Sequence, residues 1–251
     1  MLPARIQLSP DFLLEAIGDD WPSEQVDAAI RLLATSEGKF PSGSRRLPVE
    51  LVRAVQRLRL IAAMLDAAAT LGYRATNVQD VIERAGVSRP TFYEHFANKD
   101  DCFLAAYDAG VRRLQTRVSG AAATGGDWRD WLRLCLAAVL AFAVAEPQTA
   151  RTLIVEARAA SPEATQRRLV LLDGCAACLD ATAREMLPEP PPRSALTAAG
   201  VVGGVESVLY ARLCRDESEQ LKELLPSLMY FAVLPYEGQA AASRELTAAP
   251  S

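Results

Sequence analysis

Histidine is almost absent from this chain of 251 residues, which contains only His95. Serine and cysteine hydrolase sites need an imidazole base beside the nucleophile, and histidine is a common zinc ligand. The pair Cys175 and Cys178 falls inside a predicted helix, remote in sequence from His95, and no glycine-rich phosphate loop occurs. We therefore predict that the chain is not an enzyme and holds neither a metal ion nor a cofactor.

Cysteine is also scarce, and its five copies form no pattern typical of a disulfide framework. The N-terminus lacks the charged start and apolar run of a secretory signal. The longest apolar stretch, residues 134–145, is shorter than the roughly 20 residues that a membrane-spanning helix needs. We predict a cytoplasmic protein with no membrane partner.

A large excess of charge is missing as well, because the net charge is −4. Residues 45–99 nevertheless contain nine basic and five acidic side chains, a local charge of +4 that leaves −8 for the remainder. A basic segment on an acidic body suits local contact with nucleic acid, since basic side chains neutralise phosphates.

Two short helices joined by a tight turn are predicted within this basic segment. Asn77 is a suitable N-cap for the first, and apolar residues recur at helical spacing from Val78 to Ala85. Gly86 follows, where a left-handed residue without a Cβ ends a helix at no steric cost.

The second helix is expected to follow Ser88, which can cap it, and Pro90 is tolerated in a first turn. Phe92 and Phe96, four residues apart, form its buried face, so that the polar side chains lie on other faces. This is the pattern of a helix-turn-helix, whose second helix enters the DNA major groove.

These residues also resemble a known family. Residues 72–76, 78–81, 85–89, 91–96 and 98–100 are similar, in order and nearly without gaps, to the N-terminal domain of the tetracycline-repressor (TetR) family. The resemblance implies an all-α fold with an N-terminal three-helix helix-turn-helix domain and a C-terminal helical domain for effector binding and dimerisation.

The resemblance also implies which side chains contact DNA. Arg89 and Thr91 would face base edges, Tyr93 and Lys99 match positions that hold phosphates, and His95 would hold a phosphate or cap locally. Thr76 and Asn77, at the start of the first short helix, either lie next to DNA phosphates or only cap this helix. The complete predicted set is Thr76, Asn77, Ser88, Arg89, Pro90, Thr91, Tyr93, His95 and Lys99.

Four segments are predicted along the chain: an N-terminal extension and linker over residues 1–47, the DNA-binding domain over 48–97, the helical body over 98–237 and a disordered tail over 238–251. The arginines of the linker, Arg45 and Arg46, are either an arm that reaches DNA or, as we favour, solvated. Helices are predicted over residues 48–71, 99–119, 127–145, 147–160, 162–187, 193–216 and 217–234.

The body has many bulky apolar residues, and family members hold a small, mostly apolar effector among these helices. The alternative for each of these residues is that it belongs to the hydrophobic core and does not line a pocket. Glu156 and Arg158 are the candidates for orienting a ligand, with a surface ion pair as their alternative. The predicted pocket residues are Trp128, Trp131, Leu132, Cys135, Phe142, Glu156, Arg158, Leu172, Cys175 and Met186.

The last two predicted helices have long apolar faces, and the resemblance implies that they form a two-fold interface between two copies of the chain. Packing within one chain is the alternative. The predicted interface residues are Val201, Gly204, Val205, Val208, Leu221, Leu224, Leu228 and Phe231.

We predict a DNA-binding transcriptional regulator, a ligand-responsive repressor that binds a palindromic operator as a homodimer. Its predicted partners are double-stranded DNA, a second copy of the chain and a small, largely apolar effector. The alternatives are an architectural or partner-recruiting DNA-binding protein without an effector, and a helical enzyme, for which we find no catalytic group.

Overall fold

The computed structural model describes residues 48–188 and 194–247. Within these ranges the chain is helical, with no β-strand, so the predicted all-α fold is confirmed. The predicted N-terminal extension, its Arg45–Arg46 pair and residues 248–251 lie outside the described residues. The chain divides into two compact units, with the boundary between Arg113 and Leu114.

The first unit contains α1 (Val49–Leu71), α2 (Val78–Ala85), α3 (Arg89–His95) and the first half of α4 (Lys99–Ala122). The middle of α1 is buried almost all round, because Leu60, Ala63, Met64 and Ala67 are each fully enclosed. Such burial on every side is typical of a central scaffold helix against which its neighbours pack.

The boundary between the units falls within α4, after Arg113, and not after residue 97 as the sequence predicted. The reason is that the first turns of α4 belong to the core of the first unit. Phe103 and Tyr107 are each 1% exposed, and the ring of Phe103 packs against that of Tyr73 with centroids 4.6 Å apart. Aromatic side chains of this size dominate the energetics of a small core.

The second unit continues with seven elements, of which two are 3₁₀ helices. They are α5 (Trp128–Ala145), α6 (Pro147–Ile154), the 3₁₀ helix Glu156–Arg158, α7 (Pro162–Met186), α8 (Thr197–Cys214), the 3₁₀ helix Ser218–Leu224 and α9 (Leu225–Glu245). The core of this unit is built mainly by α5, α8 and α9.

One predicted helix, residues 217–234, is two elements in the structure. The chain forms the 3₁₀ helix Ser218–Leu224, and α9 begins at Leu225 with Pro226 in its first turn. Proline suits a first turn because the N–H that it lacks has no partner there, whereas the same residue inside one continuous helix would remove a hydrogen bond.

The predicted disordered tail is wrong for residues 238–247. The final helix continues to Glu245, with a kink at Gly238, whose φ of 79° is outside the helical range. Ala241, Ala242 and Glu245 are buried. The alanines are small enough to pack closely, and the Glu245 carboxylate pairs with Arg133 of α5, a contact between residues 112 positions apart that no local pattern shows.

Among the described residues, no single helix has both the length and the hydropathy needed to cross a membrane. The segments Trp128–Ala145 and Pro147–Arg158 meet the test together, but they are bent by 112° at the break between them.

Candidate functional site

The helix-turn-helix is held by hydrogen bonds between near neighbours in sequence. The Asn77 side chain accepts from the backbone N–H groups of Gln79 and Asp80, at 2.8 and 3.2 Å, and the Asp80 carboxylate accepts from the N–H of Asn77 at 2.8 Å. This reciprocal capping box satisfies donors that a helix start leaves free. Gly86 ends α2 in the left-handed region, with φ 65°.

The second helix begins as the sequence predicted. The Ser88 hydroxyl accepts from the backbone N–H of Thr91 at 3.2 Å, and Pro90 lies in the first turn. Phe92 and Phe96 are 0% and 2% exposed. Because these two rings anchor one face of α3, the rest of the helix surface is left to face solvent.

The exposed face of α3 contains most of the predicted DNA-binding residues. Ser88, Arg89, Pro90 and Tyr93 are exposed, and Tyr93 has 51% of its surface accessible. A large aromatic residue exposed beside a basic one is the chemistry expected of a surface that meets bases and phosphates. Asn77 is exposed at the start of α2, and Thr91 and His95 are half-buried.

Thr76 does not fit its predicted role as a phosphate neighbour. Its side chain is only 2% exposed, and its hydroxyl donates to the carbonyl of Gly72 at 2.9 Å. The hydroxyl therefore has its partner inside the unit, and its burial does not favour a side-chain contact with DNA at this position.

Lys99 is mainly a structural brace. Its ammonium group donates to the carbonyl oxygens of Tyr73 and Thr76, at 3.1 and 2.9 Å, and lies 4.1 Å from the centre of the Tyr73 ring. An ammonium group has three donors, so one remains for a phosphate. The Tyr73 hydroxyl donates to Asp100, and burial together with this bond raises the pKa of the tyrosine.

The C-terminal end of α3 contacts α1 through Arg57. The guanidinium donates through Nη1 to the carbonyl of His95 at 3.3 Å and lies over the ring of Phe96, 4.5 Å from its centre. The His95 Nε2 atom is 3.5 Å from Oε1 of Gln56. Burial lowers the pKa of His95, and the positive charges of Arg53 and Arg57 lower it further, whereas Glu94 raises it.

The predicted pocket residues of α5 are largely part of the core. Trp128 is 1% exposed and packs on Tyr236 of α9, with ring centres 4.8 Å apart, and its indole N–H is buried without a hydrogen-bond partner. Leu132 belongs to the same cluster. Trp131 and Met186 are partly buried and pack against this cluster, and Leu172 of α7 is half-buried. Phe142, which is 2% exposed, has the guanidinium of Arg117 5.8 Å from its ring.

Three cysteines lie close together on α5 and α7. Burial, together with the neighbouring Cys178 and Cys175, raises the pKa of the half-buried Cys135 to about 11. Thiols with raised pKa values are poor nucleophiles, because the thiolate is the reactive form. Among residues 48–188 and 194–247, no group of three or more His, Cys, Asp or Glu residues is arranged to hold a metal ion.

The two predicted ligand-orienting residues both have protein partners. Glu156 pairs with Arg151 at 3.8 Å. Arg158 pairs with Glu206 of α8, and its guanidinium lies 4.0 Å from the ring centre of Tyr210. The structure therefore favours the ion-pair alternative for both residues.

Glu206 is the charged centre of this region and was missed by the sequence analysis. It is 8% exposed, and its second oxygen accepts from Arg168 of α7 at 3.0 Å. One signal could have revealed it, since Glu206 is the only charged residue among the first fifteen positions of α8. An isolated carboxylate on an otherwise apolar helix predicts a buried pair.

Half of the predicted dimer-interface residues lie in the core of one chain. Val201, Val205, Leu221 and Leu228 are at most 9% exposed and belong to the core of a single chain. Side chains enclosed in one chain have no surface left for a second copy. Leu224 also packs against this core.

The remaining predicted interface residues lie at the surface of α8 and α9. Val208 and Phe231 are 38% and 43% exposed. A Cβ added to Gly204 would lie 2.7 Å from the Phe231 ring, so any larger residue at this position would have to displace the ring. The result is an apolar patch formed by Gly204, Val208 and Phe231.

Comparison with known proteins agrees with the sequence motif. Residues 60–106 match the family described as bacterial regulatory proteins, tetR family. A curated relative from Mycolicibacterium smegmatis, the HTH-type transcriptional activator FasR, is 29% identical over 174 residues, which are 68% of this chain and 79% of the relative. The predicted family resemblance is confirmed by these matches.

The fold is similar to the folds of solved transcriptional regulators. The fatty acid degradation regulator FadR from Bacillus halodurans matches with a TM-score of 0.65 and 17% identity, covering 73% of this chain and 97% of that one. The transcriptional regulator FadR from Bacillus subtilis, in complex with stearoyl-CoA, matches with a TM-score of 0.63 and 19% identity, covering 72% and 98%. At these identities the likeness concerns the fold.

Proposed function

We propose that this chain is a tetR-type transcriptional regulator that binds a short palindromic DNA site as a homodimer and responds to a small apolar effector, a proposal supported by the family match of residues 60–106. The single observation that carries the DNA-binding part is the recognition helix α3. Its caps and two buried rings hold it rigidly, while Arg89 and Tyr93 are exposed.

The proposed dimer forms through the apolar patch of Gly204, Val208 and Phe231. Exposed apolar groups on adjacent helices favour a self-complementary contact, since a two-fold axis brings the same patch of both copies together. Two recognition helices related by this axis would read half-sites about 34 Å apart, one turn of the duplex.

For the effector we propose a molecule with a long acyl chain, of the class that includes acyl-CoA. The support is the FadR structure from Bacillus subtilis in complex with stearoyl-CoA, which shares this fold, together with the large apolar side chains of α5 and α7. To change DNA occupancy about tenfold, the effector must prefer one conformation over the other by about 1.4 kcal/mol.

The DNA-binding part is tested by selecting duplex fragments with the purified protein and titrating the selected site with variants. We expect Arg89→Ala to relax preference at one base position, and Tyr93→Phe, which removes only a hydroxyl, to weaken binding to all sequences about equally. Arg215→Gln, at an exposed arginine of the second unit, is the control. Failure of the wild-type chain to bind any duplex would refute the proposal.

The effector part is tested by thermal unfolding with stearoyl-CoA, with free coenzyme A and with a short acyl-CoA. Only a ligand that binds the folded state raises the melting temperature. We expect the long acyl chain to stabilise the protein most and to change its affinity for the selected DNA. No response to any of the three would contradict this effector class.

A DNA-binding protein without an effector is the second candidate. It is favoured by the close packing of Trp128, Leu132 and Phe142, each at most 5% exposed, and by the internal partners of Glu156 and Arg158. DNA binding that stays unchanged by every acyl ligand would support it.

The direction of regulation stays a prediction. The family resemblance predicts repression, whereas the curated relative FasR is an activator. A promoter fusion carrying the selected site distinguishes the two, because deleting the regulator raises expression under a repressor and lowers it under an activator.

A further inference from the structure

The guanidinium of Arg57 is fixed in place at the C-terminal end of the recognition helix. It donates a hydrogen bond to the His95 carbonyl and packs on the face of the Phe96 ring, which is 2% exposed. A guanidinium has five N–H donors. Arg57 uses one of them on the carbonyl, so most of its donors remain available beside α3.

A second arginine lies on the same face of α1. Arg53 is exposed and precedes Arg57 by one helical turn, a spacing that places two side chains side by side. Both arginines act electrostatically on the His95 imidazole, which places the three basic groups in one neighbourhood. We name Arg53, Arg57 and His95 the α1–α3 basic cluster.

The α1–α3 basic cluster has no ion-pair partner among the described residues. In the described part of the chain no carboxylate forms an ion pair with Arg53 or Arg57, and the acidic group acting on His95 is Glu94, whose influence is smaller than that of either arginine. Like charges one turn apart destabilise a helix slightly unless an anion lies between them. The arrangement is therefore suited to an external anion.

We propose that Arg53, Arg57 and His95 bind one phosphate of the DNA backbone beside the end of the recognition helix. The inference rests on the proposed DNA-binding function and adds α1 to the contact surface predicted from α2 and α3. The contact is to phosphate, so it supplies affinity and register without reading sequence. Arg57 also positions α3, because it holds the carbonyl of the helix's last residue.

The salt dependence of DNA binding tests this site. Removing one phosphate contact reduces the slope of log K against log salt concentration by about 0.9. We expect Arg53→Gln, which breaks no ion pair with another described residue, to reduce the slope by about one and to weaken binding to all duplex sequences alike. Arg215→Gln changes the net charge equally and should leave the slope unchanged.

The pH dependence gives a second readout. Burial, Arg53 and Arg57 lower the pKa of His95, whereas Glu94 raises it. A bound phosphate would also raise this pKa, because its negative charge favours the protonated imidazole. We expect the wild-type affinity for DNA to rise as the pH falls from about 8 to about 5.5, through the ordinary histidine range, and His95→Gln to abolish this rise.

The conservative variant Arg57→Lys separates charge from geometry. Lysine keeps the positive charge, but its ammonium group cannot lie flat on the Phe96 ring while it donates to the His95 carbonyl. We expect weaker DNA binding than in the wild-type chain with a nearly unchanged salt slope. A variant that binds as tightly as the wild-type chain would overturn the positioning role of Arg57.

The outcomes separate this inference from the proposed function. If the wild-type chain binds duplex DNA with a salt-dependent affinity but Arg53→Gln has the same slope, the phosphate site is wrong and the function stands. If the wild-type chain shows no salt-sensitive binding, the function itself fails.

Discussion

The caps of the helix-turn-helix in the first unit and the ion pairs in the second unit differ in how far apart in sequence their partners lie. In the first unit, the caps of α2 and α3 join residues two or three positions apart, such as Asn77 with Asp80 and Ser88 with Thr91. In the second unit, Arg133 pairs with Glu245 across 112 positions, and Arg158 pairs with Glu206 across 48. Local contacts can be recognised in a motif, whereas contacts between distant helices require the fold.

The interior of the second unit and the surface caps of the first unit also differ in the stability that we expect them to contribute. Both units enclose large side chains, but the second unit also encloses the paired carboxylate of Glu206, so we expect substitutions at Trp128 and Glu206 to cost more than the loss of a cap. The first unit uses caps on short helices, each of which contributes about 1 kcal/mol. We expect the effect of a substitution on the free energy of unfolding to decrease from the interior of the second unit to the surface of the first.

Trp128→Ala should have the largest effect. The ring is 1% exposed and packs on Tyr236, so its removal leaves a cavity and should lower the free energy of unfolding by about 3–5 kcal/mol. Chemical denaturation monitored by circular dichroism measures this loss in the free energy of unfolding. Trp131→Ala is the control, because Trp131 lies on the same helix but is only half-buried at the edge of the core, and it should cost clearly less. Equal losses of stability would remove the distinction between core and edge.

Glu206→Gln should cost about 2–3 kcal/mol. The amide keeps the shape but not the charge, and Arg158 and Arg168 then face each other without a carboxylate. Glu219→Gln, at an exposed position, is the matched control and should be close to neutral. A Glu206 variant as stable as the control would mean that long-range ion pairs do not support the second unit.

Asn77→Ala tests the first unit and should cost about 1 kcal/mol, because two backbone donors at the start of α2 lose their acceptor. Asn77→Ser restores a capping oxygen and should recover most of the stability. Denaturation curves of the three proteins compare them. If the serine variant is no better than alanine, the asparagine acts through something other than its cap.

The pH dependence of stability at His95 should be the smallest effect. The pKa of His95 is lowered in the folded chain, so the unfolded state binds more protons near pH 6. The free energy of unfolding should therefore be fully retained above the unfolded pKa of about 6.5 and decrease as the pH falls towards the lowered folded value. The chain has no other histidine, so His95→Gln should flatten this part of the profile. An unchanged profile in the variant would exclude His95 as its source.

Much of the first unit could be predicted from the sequence. Asn77, Ser88 and Gly86 act where the motif places them, because caps and a left-handed glycine are properties of a few consecutive residues. The motif did not show that Thr76 is buried, nor that Lys99 uses two of its three donors inside the unit. Both depend on contacts with segments that the local motif does not include.

The second unit was predicted as helices but not as a packing arrangement. Apolar periodicity identified the faces of α8 and α9 that are buried, yet it did not distinguish burial in one chain from burial between two. Val201 and Leu228 were assigned to the interface and lie in the core, whereas Val208 and Phe231 are at the surface. A hydrophobic face has the same sequence pattern in both cases.

The amino-acid sequence by itself determined the helical class, the family resemblance and the local design of the recognition helix, because caps, turn glycines and apolar spacing act over one or two helical turns. Only the tertiary structure decided which charges are paired, that the chain continues as a helix beyond Gly238, and that Arg53 and Arg57 lie beside His95. These features arise where helices distant in sequence meet, and the free energy of such contacts depends on distances that the order of residues does not state.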